Sequence, residues 1–460
     1  MMLARFDNSI GGVVLGGLVL GAAIALSPSP VLGFAAALFL VLAVAALMRP
    51  FVIAGTALAI GALLPEYLGV KTQLFPAPIS LPLAVAVLLG VCAAAVAVSD
   101  PRRHRPFAQR VVPLVFAVLW VGGSMLGGQG GWQSRVSHGL AVSLAGAVVA
   151  VSLGVITARE QGRLAVSWGV AIAGVIAAAY GAVEFLTDQN VLLNAGVSAN
   201  PSLAAYLTVP VRFGIHRVSG AFSHPIMFSI MLGLAVICVI GLMQQRRIPR
   251  LTAGLLVVFM GAVDVVTVSR APILACLGVC AAWFISQRLA SHRTRWLAVG
   301  SLAAILAAGA LLANSVGVFR GWLDPLTGTE AGTSLAYRIR LAQALYAEFA
   351  HASAFGSANA DTNTLLAGFK SLDNQIANLL VSRGYAGLGA YALLSLSPLF
   401  SVRRLSSQSI FGLAIALFIA VVALTVAVFG SVQLYVFSGL SLALALVTAD
   451  RPQVGVPENE

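Results

Sequence analysis

A chain of 460 residues that is 59% hydrophobic and only 9% charged cannot cover a globular surface, because soluble domains carry about 25% charged residues. Its formal net charge of +12 comes with no nucleic-acid-binding motif. The positive residues instead collect in short loops between apolar runs, as the positive-inside rule produces at a membrane. Composition therefore argues against a soluble protein and a nucleic-acid partner, and for a multi-pass membrane protein with no soluble domain large enough to hold its own core.

Taken in chain order, the residues before Asn8 carry one arginine, Arg5, and lead into a long apolar run. That run reads as a first span, since it is long for a signal peptide and lacks a clear small-x-small cleavage site. Apolar runs then recur at 9–26, 31–48, 50–64, 79–98, 110–126, 136–157, 165–186, 223–243, 251–268, 271–290, 296–313, 374–400, 408–428 and 432–449. Each is near the ~20 residues that cross a bilayer as a helix. The expectation is an all-α integral membrane protein of about fourteen spans, counted by that length rule.

Alternating sides from an inside N-terminus places Arg49, the run Arg102-Arg103-His104-Arg105 with Arg110, and Arg159 with Arg163 on one face. Arg246-Arg247 with Arg250, the stretch Arg288 to Arg295, Arg403-Arg404 and the tail with Arg451 join them. One miscounted span would break this register, so both termini are expected inside. The outer segments are then Leu64–Ser80, Gly127–Arg135, Thr187–Phe222 and the longest, Asn314–Asp373. These hold Lys71, Lys370, Arg135, Arg212, Arg217, Arg320, Arg338 and Arg340, with Arg270 at an outer turn. Cations on that side need a reason. One is salt bridges to Glu184, Asp188, Asp324, Glu330 and Glu348; the other is an anionic ligand, for which guanidinium groups are the usual clamp.

Within the longest outer loop, Thr333 or Ser334 can cap a helix. Leu335, Ile339, Ala342, Tyr346 and Phe349 follow at roughly helical spacing, flanked by Arg338 and Arg340, as in a helix lying on the membrane surface. Cys92, Cys238, Cys276 and Cys280 lie inside apolar runs and read as small buried hydrophobes. Nucleotide-binding, metalloprotease and nucleophile-elbow motifs are absent, as is any metal-type cysteine/histidine spacing, so no cofactor or metal is expected.

Chemistry must then come from polar groups at the outer boundary, where three patterns stand out. The first is His216-Arg217-Val218-Ser219-Gly220-Ala221-Phe222-Ser223-His224-Pro225, at the entrance of a span. The second is Thr267-Val268-Ser269-Arg270-Ala271, a polar break between two spans. The third is Ser371-Leu372-Asp373-Asn374-Gln375, running into a span that carries Arg383-Gly384-Tyr385-Ala386-Gly387. Tyr337-Arg338 lies between the last two. In this order, with the largest outer loop before the third, the patterns resemble the O-antigen ligase/polymerase superfamily, which includes the O-antigen ligases and the Wzy-type polysaccharide polymerases. The resemblance covers roughly residues 205–400.

The resemblance implies a GT-C-like arrangement in the bacterial inner membrane: N-terminal spans over 1–204, a ligase/polymerase-like core over 205–400 including the outer loop 314–373, and C-terminal spans with a cytoplasmic tail over 401–460. It also implies a metal-independent glycosyltransferase that moves a glycan from an undecaprenyl-pyrophosphate donor to a glycan or lipid acceptor on the outer face. Arg217 and Arg270 would bind the pyrophosphate and stabilise its charge, with Arg338 as a third contact. Arg340, Asn374, His224 and His351 complete the implied substrate-binding set. Where the ligases carry a histidine before the late span, this chain has Asp373-Asn374; Asp373 would accept a proton or orient the acceptor, or else cap the following helix. His216, His224 and His351 are alternative bases, and Asp264 is the expected partner of Arg270. Two other classes stay open: a flippase for lipid-linked glycans, which would favour internal repeats and broken helices near the midplane, and a non-catalytic envelope scaffold.

Overall fold

The protein is seen here as a computed structural model that describes residues 41–64, 69–70, 79–99, 106–127, 132–192, 211–212, 215–222, 224–288, 343, 354–356, 375–402, 405–425 and 432–449. Residues 41–48 are helical. After them come α1 (Pro50–Gly61), α2 (Leu81–Ser99), α3 (Phe107–Leu126), α4 (Trp132–Ile156), α5 (Glu160–Thr187), α6 (Pro225–Gln244), α7 (Arg250–Val266), α8 (Arg270–Arg288), α9 (Gln375–Ser401), α10 (Ser407–Thr425) and α11 (Val432–Ala449). Two isolated antiparallel pairs of two residues each accompany them: β1 (Gly69–Val70) with β2 (Ile79–Ser80), and β3 (Val211–Arg212) with β4 (Ile215–His216).

These helices fall on eleven of the expected apolar runs. The run at 31–48 ends in the helical residues 41–48, while the runs at 9–26 and 296–313 lie outside the described residues, as does the surface helix expected after Ser334 except for Gln343, which is helical. Among the described residues, six helices are long and apolar enough to cross a membrane: α3, α5, α6, α9 from Asn378 onward, α10 and α11. The protein is thus a helical, multi-pass type of chain.

Helix entry follows local chemistry. Proline at the first position starts α1 and α6, where its missing N–H costs nothing. His224 caps α6 with Nδ1 accepting from the Ile226 N–H at 3.1 Å. α6 and α11 are apolar on every side and buried along nearly their whole length, which marks them as the centre of the bundle. α7 instead keeps Leu251, Leu255, Val258 and Val265 exposed on one side, the pattern of a helix facing lipid.

Small residues set the close approaches. A Cβ on Gly169 of α5 would stand 2.7 Å from the Gly55 carbonyl of α1, and a Cβ on Gly233 of α6 would stand 2.5 Å from the Phe418 ring of α10. Without water to drive association, such close contact at small residues is how membrane helices gain dispersion energy. Phe116 and Trp120 of α3 meet Phe437 of α11 with ring centroids 5.0–5.4 Å apart, and Tyr435 donates from the same helix to the Leu58 carbonyl of α1 at 2.9 Å.

The bundle has two chemically distinct ends. At one, Arg159 donates to the Val96 carbonyl at 3.2 Å and lies over the Phe51 ring. There Arg247 pairs with Glu160 at 3.5 Å, and Gln109 at the start of α3 donates to Thr448 at the end of α11, at 2.5 Å. At the other end the last turn of α5, the entrance of α6 and the turn from α7 to α8 converge, and the candidate site lies there.

Candidate functional site

Arg217 is the centre of that end. It is only 6% exposed, an expensive place for a permanent charge. Its Nε donates to the Thr267 carbonyl at 2.7 Å and its Nη2 to Ser269 Oγ at 3.1 Å. Both acceptors belong to the short break between α7 and α8. That break is shaped by its own side chains: Thr267 Oγ1 donates to the Asp264 carbonyl at 2.7 Å and accepts from the Ser269 N–H at 3.1 Å. Val268 between them takes a left-handed φ of 53°, uncommon for a β-branched residue. The first and second sequence patterns are therefore physically one structure.

The segment carrying Arg217 is itself pinned. Glu184, in the last turn of α5, accepts from the Ser219 N–H at 3.2 Å and the Gly220 N–H at 2.7 Å. Asn190 donates to the Gly220 carbonyl at 2.8 Å and accepts from Tyr180 Oη at 2.9 Å. Gly220 needs its positive φ of 62° to present both its groups. From sequence, Glu184 reads as an ion-pair partner for outer arginines; in the fold its oxygens serve backbone donors instead. Asp264 is buried, and its Oδ1 lies 3.4 Å from the Thr267 hydroxyl that donates to it.

Glu184, Asp188, Asn190, His216, Arg217 and Val218 line a small, shallow cleft beside Phe185. Asp188 ends α5 in a left-handed turn with φ 58°, and His216 Nε2 lies 3.7 Å from its Oδ2. Two carboxylates beside one guanidinium give a lining of mixed charge. Such a lining offers acceptors and donors together.

Of the residues singled out by sequence, Arg217 lies in this junction and His224 stands at the same end as the cap of α6. Arg270 opens α8 one residue after Ser269, its side chain outside the described residues. Arg338, Arg340, His351, Asp373 and Asn374 lie outside them altogether.

Sequence reasoning gave Arg383 no role. It is 5% exposed inside α9, with its guanidinium carbon 3.6 Å above the Trp120 ring. The signal was available as a charge in an otherwise apolar span, which is a functional-site hypothesis by default. Its partner on α3 was not visible.

Fold and junction together define a class: a helical, multi-pass membrane type of protein with a buried, oriented arginine at one end of its bundle. Comparison with family models, with curated proteins and with solved structures yields no match.

Proposed function

We propose that the chain is a glycosyltransferase of the bacterial inner membrane, with about fourteen spans and both termini in the cytoplasm. It would transfer a glycan from an undecaprenyl-pyrophosphate donor to a glycan or lipid acceptor at the outer face, in cell-surface polysaccharide synthesis. The observation that carries this reading is Arg217, a buried guanidinium whose plane is fixed by Thr267 and Ser269. An oriented guanidinium in a partly dry site stabilises charge as it develops on a leaving pyrophosphate.

In the proposed step the bond from the sugar's anomeric carbon to the pyrophosphate oxygen breaks, and its electron pair stays on the pyrophosphate. The acceptor hydroxyl oxygen bonds to that carbon, and its proton passes to the Asp373 carboxylate. Arg217, Arg270 and Arg338 hold the pyrophosphate, while Arg340, Asn374, His224 and His351 complete the donor and acceptor contacts.

The test is a reconstituted assay with purified protein, a polyprenyl-pyrophosphate-linked glycan, an acceptor, and EDTA. Glycan transfer with release of polyprenyl pyrophosphate supports the reading, and product size then separates ligation from polymerisation. Movement of the intact lipid-linked glycan across the bilayer without cleavage overturns it in favour of a flippase. The break inside α9 at Gly384 is the observation that favours this second reading.

A further inference from the structure

α9 is two helices in one. Gly384 takes φ 60° and ψ −158° inside it, so the helical ladder stops at Arg383 and a new helix starts at Tyr385. At 1.5 Å per residue, this break lies about 12 Å beyond Gln375, within the bundle. The Ala386 N–H of the new first turn donates to the Ala354 carbonyl at 2.9 Å. Gly356, at φ 70°, packs its Cα against the backbone nitrogens of Arg383 and Gly384. The Arg383 side chain runs along Gly387, where any Cβ would overlap it, and ends flat on the Trp120 ring.

Two buried donors in this stack are left over. Arg383 Nη1 and Trp120 Nε1 have no hydrogen-bond partner among the described residues. Arginine and indole are donors only, so no rotation of either group satisfies the other; both require an external acceptor. The start of the second half of α9 adds the positive end of a helix dipole at the same place. A buried cation and an unpaired indole N–H thus share one stack next to a helix N-terminus, and each of the three favours an oxygen-rich anion.

We propose that Arg383 and Trp120, at the break in α9, form a binding site for a phosphate group inside the bundle, separate from the Arg217 junction. A guanidinium offers the paired donors that phosphate accepts, and the Trp120 face holds the cation in place when the site is empty. The phosphate is either a free ion or the headgroup of a lipid entering between α3 and α9. The site does not depend on the proposed transfer reaction, since it is read by binding alone.

The experiment uses the purified full chain in two settings. In neutral detergent, sodium phosphate is titrated while thermal stability is followed. In nanodiscs, phosphatidylcholine alone is compared with phosphatidylcholine containing phosphatidylglycerol, and retained lipid is counted by native mass spectrometry. Binding in detergent identifies a free phosphate; retention of phosphatidylglycerol alone identifies a headgroup. In either case Arg383→Gln weakens the affinity at least tenfold and Trp120→Phe, which keeps a ring but removes the N–H, weakens it several-fold. Arg247→Gln, a half-exposed arginine at the other end of the bundle, leaves it unchanged, and glycan transfer is assayed separately in Arg383→Gln, so loss of the transfer reading and loss of this site are separable. No response of the wild-type chain to either probe overturns the proposal even where a variant fails to fold, as does undiminished binding in Arg383→Gln.

Discussion

At the scale of single residues, two buried ionisable groups at one bundle end do different work. Glu184 satisfies backbone donors at two consecutive residues, Ser219 and Gly220, and so fixes the chain on which Arg217 stands. Removing its oxygens leaves both N–H groups without an acceptor, at about 1–3 kcal/mol for each buried orphan. Glu184→Ala therefore lowers stability by about 2–6 kcal/mol on that scale, and Glu184→Gln, which keeps one acceptor oxygen, loses roughly half as much. Equilibrium unfolding in mixed micelles measures both; equal stability of Glu184→Ala and wild type would remove the pinning role. Arg217 is tested by its geometry. Lysine keeps the charge but lacks the planar fork that meets the Thr267 carbonyl and the Ser269 hydroxyl together. Under the proposed function Arg217→Lys lowers turnover of the lipid-linked glycan about 10²-fold, the usual cost of one donor to a developing anion. Unchanged turnover in folded protein would end the pyrophosphate role.

At the scale of elements, the break in α9 is the feature with most at stake. The φ/ψ pair at Gly384 lies in a region open essentially to glycine alone, so Gly384→Ala costs about 1–3 kcal/mol of strain. Gly356→Ala drives a Cβ into the backbone of Arg383 and Gly384 and expels residues 354–356 from the break. Limited proteolysis between 354 and 356 should then speed up, whereas Gly389→Ala, where nothing lies within 4 Å of a new Cβ, leaves it unchanged. The positions of α1 to α11 were legible in the sequence, because one-dimensional hydrophobic length is all that a span requires. The Arg217 junction was legible in part: both patterns were visible, but their contact joins residues fifty apart. The Arg383–Trp120 stack was not legible, since neither residue's own neighbourhood names the other. The break could have been read from an arginine followed by glycine in the middle of an apolar run. His224 also caps α6, a role that needs only the two residues after it.

At the scale of the whole molecule, the two ends of the bundle differ in how they treat their cations. Arg159 and Arg247 sit at one end, half in solvent, with Glu160 beside them. Arg217 sits at the other, buried and held by neutral oxygens. Solvated cations near helix ends are what retains a loop in the cytoplasm, so the first end is the cytoplasmic one in the proposed orientation. The prediction is tested with single added cysteines and a membrane-impermeant thiol reagent on intact cells. The native thiols give a low background, because Cys92, Cys238 and Cys276 are buried and Cys280 only partly exposed. In that orientation Gly328→Cys is labelled at once from outside. Glu458→Cys, in the tail, is labelled only after the membrane is permeabilised. The reverse pattern would put Arg217 on the cytoplasmic side, where a glycan assembled on its lipid has not yet been flipped. Transfer at the outer face would then be untenable, and the buried arginine would have to be explained by a cytoplasmic ligand.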